Sequence, residues 1–183
     1  MASVLIPLAQ GCEELEAITV IDLMRRAGIE VVSAGLDDKP VKASRGTVIV
    51  PDTTLDEALK KEYDMIVLPG GLPGADNLDN DLRIQNRLKQ MASQNKYTAA
   101  ICAAPKILAS AGLLSGKQAT SFPGVLEALN LPDIKLSTQP VVTDGKVITS
   151  RGPGTAMDFA LDLIEKLVGK VKRDEVEATL QRI

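Results

Sequence analysis

The stretch Ala99-Ala100-Ile101-Cys102-Ala103-Ala104-Pro105 decides how this chain is read. Small and apolar strand-like residues, Thr98 to Ile101, run straight into a cysteine and then into a helical pattern from Ala103 to Leu114. That is the layout of a nucleophile elbow, with Cys where hydrolases place Ser and with small neighbours that permit a sharp turn. Beside a helix N-terminus, the dipole and free amides favour the thiolate, so a low thiol pKa is expected for Cys102. The alternative is a buried structural cysteine, a common fate for that residue.

Outward from Cys102, apolar runs alternate with helical patterns. Strands are expected at Ser3 to Ala9, Glu30 to Leu36, Thr47 to Val50 and Met65 to Leu68. Helices are expected at Glu13 to Ala27, where Gly28 is a stop signal, and from an Asp52 or Thr53 cap to about Glu62. A polar loop after Pro69-Gly70-Gly71 leads to a helix from about Asp81 to Asn95. Pro140 to Ser150 reads as a hairpin turning at Asp144-Gly145. Helices from Arg151 to about Val168 and from about Arg173 to Gln181 close the chain. Strands alternating with helices predict parallel βαβ units covered on both faces, in a single α/β domain over 1–183.

Composition narrows the chemistry. The chain has 183 residues, 45% apolar and 25% charged, with a net charge of −3, which argues against nucleic-acid binding. No apolar run is long enough to span a membrane, and Met1 to Pro7 lacks the basic flank of a signal peptide. Two cysteines, Cys12 and Cys102, are too few for a disulfide framework, so a cytoplasmic location is the default. There is no histidine. That removes Cys-His and Ser-His-Asp mechanisms and ordinary zinc sites; no metal or cofactor is expected. Any general base is Asp, Glu, Lys, Tyr or Cys.

Open α/β sheets bind ligands at the carboxyl ends of their strands. Besides Cys102, Leu68-Pro69-Gly70-Gly71-Leu72-Pro73-Gly74 ends there, and its paired glycines can turn amides toward a ligand or simply make a turn. Gly11-Cys12-Glu13-Glu14-Leu15-Glu16 follows the first strand. Glu13 and Glu14 suit a helix N-terminus and are expected to do little more. Glu16 falls on the mainly buried face, where its carboxyl pKa rises and it can share a proton with a nearby thiolate; a solvated glutamate is the alternative. Ser150-Arg151-Gly152-Pro153 offers amides and an arginine for an anion, and Arg45 is a second candidate. Cys12 reads as a small loop residue rather than a partner thiol.

Glu-Glu-Leu-Glu, Leu-Pro-Gly-Gly, Ala-Ala-Ile-Cys-Ala-Ala-Pro and Thr-Ser-Arg-Gly-Pro-Gly-Thr together resemble the ThiJ/PfpI superfamily, nearly end to end and in family order. The likeness is to the branch of the parkinsonism-associated protein deglycase and bacterial YajL. It implies a flavodoxin-like three-layer sandwich with a mostly parallel central sheet and a small antiparallel hairpin, and a homodimer with Arg26 at the dimer surface. It implies a reactive Cys102 with Glu16 as carboxyl partner. Oxyanion amides are implied at Gly70, Gly71 and Ala103 or Cys102 itself, with Arg45, Ser150, Arg151 and Pro153 about the pocket. The implied activities are glyoxalase III-type conversion of methylglyoxal to lactate and repair of early glycation adducts. Small reactive carbonyls or glycated amines would be the substrates. Redox sensing through a cysteine sulfinate and holdase chaperone behaviour are the alternative.

One departure bears on mechanism. Members with a histidine near the cysteine carry it just before a proline; here Thr120-Ser121-Phe122-Pro123 puts Phe122 there, as aromatic-bearing YajL-like members do. Proton transfer then falls on Glu16 alone. Ala103, where the protease-like branch carries histidine, argues against peptidase activity.

Overall fold

The computed structural model describes residues 1–182. Its strands are β1 (Ser3–Leu8), β2 (Glu30–Gly35), β3 (Val41–Lys42), β4 (Val48–Ile49), β5 (Thr53–Thr54), β6 (Met65–Leu68), β7 (Tyr97–Ile101), β8 (Gln118–Ala119), β9 (Lys135–Leu136), β10 (Val141–Asp144) and β11 (Val147–Ser150). Its helices are α1 (Glu14–Arg26), α2 (Leu55–Ala58), α3 (Gly74–Asp79), α4 (Leu82–Ser93), α5 (Pro105–Ser110), α6 (Ala156–Val168) and α7 (Lys170–Thr179).

Seven strands form one sheet in the order β10-β11-β7-β6-β1-β2-β5. Every pair is parallel except β10–β11, the antiparallel hairpin at one edge. The order reverses between β1 and β6, which opens a crevice at their carboxyl ends. Strand residues alternate between two cores. Ile6, Val67, Ala99 and Ile101 pack with Val20 and Met24 of α1 and Phe159 and Leu163 of α6. Leu5, Ile66, Leu68 and Ala100 pack with Leu78, Ile84, Leu88 and Ile107 of α3, α4 and α5. This is the expected flavodoxin-like three-layer arrangement. Cys102, one residue past β7, packs against both cores at their seam.

Four local expectations are corrected. Val48–Ile49 pairs with Val41–Lys42 in a separate two-stranded ribbon rather than in the main sheet. Asp52 caps no helix: its carboxylate accepts from the Ser33 amide and hydroxyl at 2.8 and 2.7 Å and from Arg25, while Thr54 caps the four-residue α2. The polar loop after Gly71 contains α3. The helix after Cys102 begins only at Pro105 and runs six residues.

Candidate active site

Cys102 holds a left-handed backbone conformation, φ +64°, which costs a residue with a Cβ and persists where the surroundings impose it. Those constraints are visible. The Cys102 amide donates to the Ser150 carbonyl at 3.0 Å, and the Cys102 carbonyl accepts from the Phe122 amide at 2.9 Å. The turn lifts the half-buried thiol to the carboxyl edge of the sheet.

Glu16 reaches the same point from α1. Glu13 caps that helix by accepting the Glu16 amide at 2.8 Å, which sets the direction of its first turn. Glu16 is fully buried. Its Oε2 accepts the Gly70 amide at 2.8 Å, its Oε1 has no hydrogen-bond partner among the described residues, and the carboxyl lies beside the Cys102 thiol. Burial pushes the Glu16 carboxyl up to about 7, against the opposing pull of the Gly70 amide and the Cys102 thiol. Burial and the Glu16 charge push the Cys102 thiol up to about 12, against the amides of Gly71 and Ala103, which face the sulfur and lower it.

Burial and the Glu16 charge thus oppose the thiolate that the sequence led us to expect, while the Gly71 and Ala103 amides favour it. The helix after Cys102 starts two residues later than expected, at Pro105, and a buried carboxyl faces the sulfur as well. The two groups face each other closely enough that their titrations are coupled.

The oxyanion donors also sort themselves. The Gly70 amide is spent on Glu16 and its carbonyl accepts from Glu13, so Gly70 is corrected from oxyanion donor to spacer. The Cys102 amide is spent on Ser150. Gly71 and Ala103 remain, both aimed at the sulfur. Ser150 is corrected from anion ligand to brace: its hydroxyl donates to the Pro140 carbonyl at 2.8 Å and lies 2.7 Å from the Thr155 hydroxyl. Pro153 opens a single 3-10 turn, Pro153–Thr155, closed by Thr155 on Gly152. Arg151 is partly exposed and donates to the Thr138 carbonyl at 3.0 Å. The exposed Arg45 guanidinium has no ion-pair partner among the described residues.

Glu14 does more than expected. Its carboxylate accepts from the Ser44 hydroxyl and the Arg45 and Thr47 amides, which hold it below its usual range and tie the β3–β4 turn to α1. Only an acid in the first helical turn and a distant Ser-Arg-Gly turn hint at this in the sequence. Cys12 is fully buried, which closes it to solvent, whereas Cys102 is only half-buried. A cavity of about 360 Å³ at the ends of β1 and β2, lined by Gln10, Asp37 and Asn77 among others, carries no nucleophile. Among the described residues, no cluster of three or more Cys, Asp or Glu is placed to hold a metal ion. No helix among them is long and apolar enough to cross a membrane.

The sequence profile of the DJ-1/PfpI family matches residues 2–166. The chain belongs to the DJ-1/PfpI family. It is 45% identical over 175 residues to Drosophila melanogaster protein dj-1beta, covering 95% of this chain and 94% of that one. The crystal structure of that DJ-1 protein superposes with a TM-score of 0.95 at 42% identity, covering 100% and 98% of the two chains. The Caenorhabditis elegans glutathione-independent glyoxalase DJR-1.2 is 35% identical over 175 residues, 96% of this chain and 92% of that one. Arabidopsis thaliana protein DJ-1 homolog A is 43% identical over 180 residues, 97% of this chain. The chain spans only 46% of that relative's length.

Proposed function

We propose that this DJ-1/PfpI protein converts small 1,2-dicarbonyls to 2-hydroxy acids without glutathione, through Cys102 and Glu16. The observation that carries the reading is the buried Glu16 carboxyl, unpartnered at Oε1, facing a cysteine held at an elbow. The name of the Caenorhabditis elegans relative supports it.

Glu16 takes the thiol proton, the sulfur attacks the aldehyde carbon of methylglyoxal, and Glu16 returns that proton to the new alkoxide, which gives a hemithioacetal and leaves Glu16 free as a base. The Gly71 and Ala103 amides hold the oxygen that gains charge. Glu16 then removes the hydrogen from the former aldehyde carbon and returns it to the neighbouring carbon, leaving a thioester. Water cleaves that thioester, regenerates the thiol and releases lactate. The sum is methylglyoxal plus water to lactate plus a proton, with no net redox change. The same attack on an early glycation adduct would end with Glu16 protonating the departing amine. A homodimer in the cytoplasm belongs to the same proposal.

Purified protein given methylglyoxal in thiol-free buffer is expected to form one lactate per dicarbonyl consumed. Consumption without lactate overturns the reading. A second reading draws on the same unpartnered Oε1. Two equivalents of peroxide would oxidise the thiol to sulfinate with release of two waters, and protonated Glu16 would hydrogen-bond a sulfinate oxygen, as in a redox sensor and holdase chaperone. A stable gain of two oxygens on Cys102 under mild peroxide, with no lactate formed, would favour it.

A further inference from the structure

Phe122 takes no part in the proton chemistry, and its setting is unusual in this chain. The protein has two phenylalanines, two tyrosines and no tryptophan. Phe159 and Tyr63 are buried in the cores, whereas Phe122 is 49% exposed. Its exposure is not looseness. The Phe122 amide donates to the Cys102 carbonyl at 2.9 Å, and its own carbonyl accepts from the Ser121 hydroxyl at 3.0 Å and the Val125 amide at 3.1 Å. The ring lies on Gly152, its nearest carbon 3.4 Å from where a Cβ there would stand. A rigid aromatic ring is thus anchored through the backbone of the nucleophile itself and left open to solvent.

A second exposed apolar side chain stands next in sequence to an amide that faces the sulfur. Leu72, 61% exposed, directly follows Gly71, whose amide faces Cys102. Pro73 follows Leu72 and Pro123 follows Phe122. Each ring restricts the residue before it, so both apolar groups stand on stiffened backbone. A phenyl ring, unlike an imidazole, offers no proton and no lone pair. What it offers is area for burying an apolar group and a face for an aromatic one.

We propose that Phe122 and Leu72 form an apolar subsite that receives the substituent R of a dicarbonyl R-CO-CHO, and so favour aryl and bulky alkyl glyoxals over glyoxal itself. The inference rests on the dicarbonyl reading and names the substrate class within it. With the aldehyde carbon bonded to Cys102 and its oxygen on the Gly71 and Ala103 amides, R is the part of the substrate left to meet the rim.

Two ratios test this in wild type, Phe122→Ala and Phe122→Leu. The first is kcat/KM for phenylglyoxal over that for glyoxal. The second needs no turnover: the rate of Cys102 alkylation by phenacyl bromide over that by bromoacetone, read by peptide mass. In each alkylation the sulfur–carbon bond forms as the carbon–bromine bond breaks and bromide leaves. Phe122→Ala is expected to lower both ratios about five- to tenfold. Phe122→Leu, which keeps an apolar side chain, lowers them about threefold and carries the test if the alanine variant does not fold. An alkylation ratio unchanged in both variants overturns the subsite, whether or not dicarbonyls are turned over. A lowered alkylation ratio in a protein that turns over neither dicarbonyl upholds the subsite and overturns the dicarbonyl reading.

Discussion

Gly70 donates its amide hydrogen to Glu16 Oε2 at 2.8 Å, and the same residue leaves no room for a side chain beside Cys102. A Cβ there would stand 2.7 Å from Cys102 Cβ and 2.9 Å from both Glu16 Oε2 and the Ile101 carbonyl. The glycine is required by close approach. Gly70→Ala is expected to cost about 1–3 kcal/mol of stability by overpacking. It also moves the two reacting groups apart, for a loss of about tenfold or more in dicarbonyl turnover. Denaturant midpoints and lactate formation check both; wild-type values for either would contradict the geometry.

The raised Glu16 carboxyl makes stability depend on pH. Glu16 rises to about 7 in the folded chain from an ordinary value of 4.5. The folded state therefore keeps a proton that the unfolded chain releases. That contribution is complete below about pH 4.5 and is lost as pH rises through about 7. Between pH 5 and 8, wild type should lose about 3 kcal/mol relative to Glu16→Gln, read from urea midpoints. Parallel curves would contradict the raised carboxyl. With the charge at residue 16 gone, Cys102 should also alkylate at lower pH than in wild type.

The left-handed turn at Cys102 is strain held for function. Cys102→Gly removes the Cβ that the φ of +64° disfavours, whereas Cys102→Ala keeps it. The glycine variant is expected to be the more stable by about 1 kcal/mol in thermal unfolding, although neither has a nucleophile. A more stable alanine variant would place the strain elsewhere.

Ser150 braces the wall behind Cys102 through the Pro140 carbonyl and the Thr155 hydroxyl. Ser150→Ala should lose about 1–2 kcal/mol of stability, read from urea midpoints, while any protection of Cys102 from alkylation by added sulfate stays as in wild type. Weakened sulfate protection at unchanged stability would restore Ser150 as an anion ligand.

Much of this was legible in the sequence. Met65 to Leu68 read as a buried central strand and Thr98 to Ile101 as the next one, because parallel strands covered on both faces need continuous apolar runs; the second begins one residue earlier, at Tyr97. Cys102 stood out through its small neighbours, and Glu16 through its place on the buried face of α1. Short-range periodicity failed where few residues carry the signal. Val48–Ile49 is a two-residue strand in its own ribbon, and α3 is a six-residue helix within polar sequence. Asp52 has the chemistry of a helix cap, but Ser33 and Arg25, distant in sequence, claim its carboxylate. The sequence shows that amides are available near Cys102 but not which are spent. Only the fold reveals that Glu16 consumes the Gly70 amide and Ser150 the Cys102 amide, leaving Gly71 and Ala103. The late start of α5 is likewise set by the turn.

The central claim is that Cys102 and Glu16 act as one unit on a dicarbonyl. Lactate formation from methylglyoxal in thiol-free buffer, compared across wild type, Cys102→Ser, Glu16→Gln and the double variant, tests it most directly. Each single variant is expected to lose about 10²–10⁴ in rate, with the double variant no slower than the worse single one. A wild-type rate in either single variant, or losses that multiply in the double variant, would contradict it.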